Sequence, residues 1–133
     1  MSLVPRSASA GPDASTAMYA SQVPDLVAGE DIDAGAPCYI KAADGKAYMS
    51  NGAAANAAAK VNGFALKGCY AGQPVTLAGP GVRFGYGSGL TPGAPLYLAA
   101  TAGRLDTAAT TGGTAPIAFA PNATDIVFSA LSL

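Results

Sequence analysis

Histidine and tryptophan are absent from this 133-residue chain, and charged residues make up only 11% of it. Without histidine there is no Ser-His-Asp triad, no imidazole base near neutral pH and no histidine-built zinc site. Cysteine is scarce as well. Cys38 and Cys69 can form one bridge at most, no CxxC pair exists, and both sit among apolar or small residues, so two free thiols are expected. Seven basic residues face eight acidic ones without clustering, for a net charge of −1. That balance leaves no electrostatic footprint for nucleic acid or an anionic membrane. No uncharged run approaches the ~20 apolar residues that a membrane-spanning helix needs, and the first residues lack the layout of a signal peptide. The sequence reads as a soluble chain made in a cytoplasm, with no nucleic-acid or membrane partner, and no motif asks for a metal, a cofactor or a small-molecule substrate.

Large apolar residues are also few. Val, Ile, Leu and Phe number 25 of the 133 residues, and alanine supplies much of the remaining hydrophobic half. A share that low goes with disorder when net charge is high; here the charge is near zero, and 17 glycines and 10 prolines punctuate the chain. The expectation is a folded single domain with a thin core. Such cores are supplemented by disulfides, metals or oligomerisation, and only oligomerisation has support in this sequence.

Residues 1–27 are rich in Ser, Ala and Pro and read as an extended N-terminal arm, with Met18, Tyr19, Val23, Leu26 and Val27 as apolar anchors on the domain or on a neighbour. "LVPRS" at 3–7 resembles most of a thrombin-cleavage linker, so the first seven residues read equally as a native terminus or an appended tag. From Ala28 to the end the text changes to short apolar runs separated by Gly, Pro, Asn or Asp, the pattern of a small all-β barrel or sandwich. About nine strands are expected, near 37–41, 46–50, 62–66, 73–77, 81–86, 95–99, 103–107, 116–120 and 124–130. "ADGK" at 43–46 and "TAGR" at 101–104 fit hairpin turns. "AAANAAAK" at 53–60 fits either a short helical turn or a loop.

The chain also repeats itself. Gly35-Ala36-Pro37 returns as Gly93-Ala94-Pro95, 58 residues later, with Tyr39 matching Tyr97 and Gly45 matching Gly103. Phe64 returns as Phe119 at a spacing of 55. Two halves, about 28–80 and 81–133, thus share one plan, and neither has enough strands to bury a face alone. Cys38 stands where the second copy has Leu96, which places it in the core. Tyr39 and Tyr97 are expected to pack inside as well.

Nothing in this plan reads as catalysis. "GYGSG" at 85–89 lacks the Lys-Ser/Thr of a phosphate loop, and Tyr86 stands where a nucleophile elbow needs glycine, so a turn between strands is expected. Glu30, Asp31 and Asp33 lack the spacing of a calcium loop, and adjacent carboxylates on a strand point apart; a solvated approach to a strand is expected. "NAT" at 122–124 reads as a turn. Contact material is what remains: Tyr19, Tyr48, Tyr70, Phe84 and Tyr86 exceed the needs of a small core, and tyrosine suits interfaces. Arg83, between Val82 and Phe84 on an alternating strand, points away from both, toward solvent or a partner.

The phrases "AGEDIDAGAPCYI", "VNGFALKGCYAGQPVTL", "GLTPGAPLYLAATAGRL" and "IAFAPNATDIVF", spanning about Val27 to Phe128, together resemble the capsid decoration, or cement, proteins of tailed bacteriophages. The resemblance implies a non-enzymatic β domain on the outer surface of the virion, assembled in the host cytoplasm. It further implies a homo-oligomer, a trimer by preference, that staples neighbouring subunits of the major capsid protein. Met18, Tyr19, Val23, Leu26, Tyr48, Tyr70, Arg83 and Tyr86 are the candidate partner contacts, with the arm adding a strand to a capsid-protein sheet edge. Similar phrases occur in phage head-fibre and tail-fibre modules, which makes a glycan-binding fibre module the alternative.

Overall fold

In the computed structural model, which describes residues 22–54 and 56–131, the apolar runs become ten short strands and no α-helix. They are β1 (Gln22–Val27), β2 (Ala36–Ile40), β3 (Ala47–Met49), β4 (Gly63–Ala65), β5 (Pro74–Ala78), β6 (Arg83–Gly85), β7 (Pro95–Leu98), β8 (Leu105–Asp106), β9 (Ala118–Phe119) and β10 (Asp125–Phe128). The fold is all-β, and each of the nine expected runs overlaps one strand. The alanine-rich stretch supplies a single 3-10 turn, Ala57–Ala59, capped by Asn56, whose side chain accepts from the Ala58 N–H.

The tenth strand is the arm's last segment. β1 pairs antiparallel with β5, Val23 opposite Leu77 and Leu26 opposite Val75, with an irregularity between them where Asp25 takes a φ of 63°. A bulge inserts an extra residue, so Val23 and Leu26, three apart, both pack against the first core. Pro24 and Asp25 hide this strand from a reading by alternation, and the sequence boundary at 27 lies six residues too late. Met18 and Tyr19 lie outside the described residues.

The ten strands form two five-stranded antiparallel sheets with one order: β1-β5-β4-β2-β3 and β6-β10-β9-β7-β8. Register agrees as closely as order. Pro37 lies opposite Phe64, and Pro95 lies opposite Phe119. Gly35 and Gly93 donate to the carbonyls of Ala65 and Ala120, both at 2.6 Å. The hairpin glycines Gly45 and Gly103 take φ of 70° and 72°, a region open to glycine at little cost. The repeat is therefore structural.

The sheets close differently. After β1 the chain makes a parallel bridge, Ala28 to Ala47, with Gly29 N–H donating to the Ala47 carbonyl, so the first sheet curls until β1 reaches β3. In the second, the N–H of Leu105, the counterpart of Ala47, donates instead to the Tyr86 hydroxyl at 2.9 Å. A side chain there does the work of a backbone bridge.

Two apolar clusters fill the interior. Ala28, Ile32, Ala36, Cys38, Ala47, Ala65, Val75 and Leu77 belong to the first half alone. The other joins Leu96, Leu98, Ile117, Ala118, Ile126 and Phe128 of the second half to Val61, Phe64 and Ala78 of the first. Phe64 carries this junction, its ring 4.8 Å from that of Phe128 and 5.7 Å from that of Phe84. The halves thus stack with the outward face of the first sheet on the inward layer of the second.

Candidate functional site

Antiparallel partners in register project from the same face of a sheet. On the outward face of the second sheet this aligns Arg83, Val127, Phe119 and Pro95 in one row across β6, β10, β9 and β7, with Tyr97 two residues along from Pro95. Arg83 and Pro95 are exposed, Val127 and Tyr97 half-buried, and Phe119 is 39% exposed. The matching row of the first sheet is Gln22, Ala78, Phe64 and Pro37. There Phe64 and Pro37 are completely buried, Phe64 in the cluster it shares with the second half. Phe119 and Pro95 are not among the contacts expected from the sequence, although the Phe64-to-Phe119 match in the repeat is the signal that could have located them.

The first half has a surface of its own. A groove of about 610 Å³ is lined by Leu66, Lys67, Pro74, Thr76 and Gln22, among others. It lies where the halves differ. The connection from β4 to β5 runs from 66 to 73, whereas its counterpart from β9 to β10 needs only 120 to 124. Gln22 and Thr76 also occupy the places that Arg83 and Asp125 fill in the second half, where the two form an ion pair at 3.0 Å. The Arg83 guanidinium holds the Asp125 carboxyl below the usual carboxylate range, with help from the Thr124 and Asn122 side chains. On the loop, Leu66 and Tyr70 stand exposed, Tyr70 at 71%.

The remaining candidate contacts are scattered and mostly engaged. Tyr48 is half-buried, faces Tyr39 across β2 and β3, and donates its hydroxyl to Asp44 at 2.6 Å. That bond lowers the Asp44 pKa and raises that of the Tyr48 phenol. Lys41 lies 5.0 Å from the Tyr48 ring centre, in cation–π range. Tyr86 is tied to Leu105, and Val23 and Leu26 face the core. Only Tyr70 and Arg83 of the described candidates are exposed. Tyr39 and Tyr97, expected inside, lie half-buried on the face opposite Cys38 and Leu96, because adjacent residues of a strand alternate.

The acidic stretch is structural. Glu30 accepts from the Met49 N–H and Asp31 from the Ala71 N–H, each at 3.0 Å, while Asp33 is exposed. Asn122 accepts from the N–H groups of Thr124 and Asp125, which makes "NAT" a turn. Both thiols are free, and burial pushes Cys38 up to about 12 and raises Cys69 as well. Among the described residues no three His, Cys, Asp or Glu side chains gather as metal ligands, and no helix is long and apolar enough to cross a membrane. Compared with known proteins, the chain matches no family model and no curated protein.

Proposed function

We propose that this protein is a non-enzymatic virion component that binds the outer surface of an assembled phage capsid and stabilises it by bridging neighbouring major capsid protein subunits. One observation carries the reading: a chain with few large apolar residues leaves Val27, Leu66, Tyr70, Phe119 and Leu131 exposed. On this reading these apolar side chains, left outside a thin core, are contact surface. A ligand that binds only the assembled lattice stabilises it by mass action, and a homo-oligomer, a trimer by preference, multiplies weak contacts through effective concentration. The part of the N-terminal arm upstream of β1, which carries Met18 and Tyr19, is proposed to reach a capsid-protein sheet edge.

The test is binding of the purified protein to empty or expanded phage shells, with unassembled capsid protein as control. Binding to shells alone, with a raised shell melting temperature, is the expected result, and removal of residues 1–21 weakens it. Failure to bind any shell overturns the reading. A second reading, a fibre module that binds host glycans, draws on the polar lining of the groove, where Gln22, Lys67, Gln73 and Thr76 offer hydrogen bonds to a sugar. Binding of isolated protein to glycans, without shell binding, decides for it.

A further inference from the structure

We infer that the outward row of the second sheet, Val127, Phe119 and Pro95 with Tyr97 beside them, docks into the groove of the first sheet of another copy of this chain.

The argument starts from the repeat. Ala78, Phe64 and Pro37 occupy the same places in a sheet of the same strand order, and there the row is a packing surface that receives a second unit of the same fold. Its counterpart keeps the aromatic ring and the proline, exchanges Ala78 for the larger Val127, and stays partly open to solvent, with Pro95 and Phe119 exposed and Val127 half-buried. The twin row within the chain is covered by a second unit of this fold, and the outward row of the second sheet has the same residue types without such a cover.

The groove supplies the other side. It belongs only to the first half, because the longer connection raises Leu66 and the Gln22–Thr76 pair leaves open the place closed by Arg83 and Asp125 in the second. Leu66 and Pro74 give it an apolar lip, and Lys67 is the one charged residue among those lining it. Beside the row, Arg83 and Asp125 neutralise each other, and Asp106, opposite Tyr97, is exposed with no ion-pair partner among the described residues. Lys67 at the groove can therefore pair with Asp106, which shares the edge of the row with the exposed Arg104. Two different surfaces on one chain make a heterologous contact, and repetition of such a contact closes a ring when its rotation permits.

This inference deepens the self-association in the proposed function and is independent of capsid binding. The test is light scattering of the purified full chain, in the absence of shells, over a range of concentrations. The wild type is expected as one discrete oligomer. Phe119→Thr, which keeps β propensity, and Leu66→Asp, on the exposed loop, each weaken assembly at least tenfold. Circular dichroism and melting establish that both variants are folded; Val127→Thr replaces Phe119→Thr if that chain does not fold. An equimolar mixture of Phe119→Thr and Leu66→Asp, each retaining one intact surface, gives a dimer and no larger species.

A wild type that is monomeric throughout overturns the inference, as does assembly unaffected by Phe119→Thr and Val127→Thr. Loss of assembly on changing the row but not Leu66 overturns it too, since the contact is then row against row. Variants that assemble normally but no longer bind shells assign the row to the capsid protein; the capsid reading then stands and this inference falls. A wild type that assembles as expected and ignores shells does the reverse, upholding the contact between copies and removing the capsid reading.

Discussion

Phe64 and Phe119 hold one position in two sheets of identical strand order, opposite Pro37 and Pro95, yet Phe64 is fully buried and Phe119 is 39% exposed. The difference does not lie in the strands that carry them. It lies in what is stacked above: the inner layer of the second half covers the first row, and no third unit follows to cover the second. Local sequence determines which way a side chain points, and the count of stacked units determines whether it meets solvent.

The sharpest way to break the comparison is to truncate both rings. Phe64→Ala removes the side chain shared by the two halves and is expected to cost about 3–5 kcal/mol. Phe119→Ala should cost about 1 kcal/mol or less in the monomer, as partly exposed positions do. Denaturant unfolding of the two variants reads the gap directly, and equal losses would show that Phe64 does not carry the junction.

A smaller gap is expected at the hairpin glycines. Gly45 and Gly103 share the left-handed conformation, so alanine at either should cost about 1 kcal/mol from backbone strain. At Gly45 a Cβ meets open space, whereas at Gly103 it would lie 2.5 Å from Met49 Sδ and 3.3 Å from the Ala36 Cβ, both in the first half. Overpacking there should add about 1–3 kcal/mol. Matching melting temperatures for Gly45→Ala and Gly103→Ala would mean that the second hairpin is not pressed against the first sheet.

The smallest effect concerns the ion pair that the first half lacks. Asp125 titrates below the ordinary carboxylate value near 3.9, so the stabilisation from Arg83 is complete above that value and disappears as pH falls through the lower, folded-state value. Arg83→Gln should therefore be slightly less stable than wild type at neutral pH and equal to it in strong acid. Salt should narrow the neutral-pH difference, since the pair is exposed. A difference that persists in acid would place the effect in packing of the Arg83 stem.

Much of this architecture is written in local signals. Glycine and proline punctuate most of the nine expected strands, "ADGK" and "TAGR" form the turns of the β2–β3 and β7–β8 hairpins, and Cys38 is buried where its match to Leu96 places it. β1 escaped because Pro24 and Asp25 disrupt its alternation and its bulge brings Val23 and Leu26 to one side. The surfaces were less readable, for a reason that applies to any repeat. "GFA" and "IAFA" look alike, and only the stacking of the halves separates a covered phenylalanine from a bare one. Tyr86, whose chemistry suits a contact, instead closes the second sheet through Leu105, a partner 19 residues away that no spacing rule indicates.

The loan of Phe64 to the second half is one-sided. The cluster built around Cys38, Leu77 and Val75 draws its buried side chains only from residues up to 77, whereas the second cluster completes itself with Val61, Phe64 and Ala78 of the first half. Removal of the second half would bare Phe64 and leave the buried residues of the first cluster together, while removal of the first half would take away part of the second half's own core.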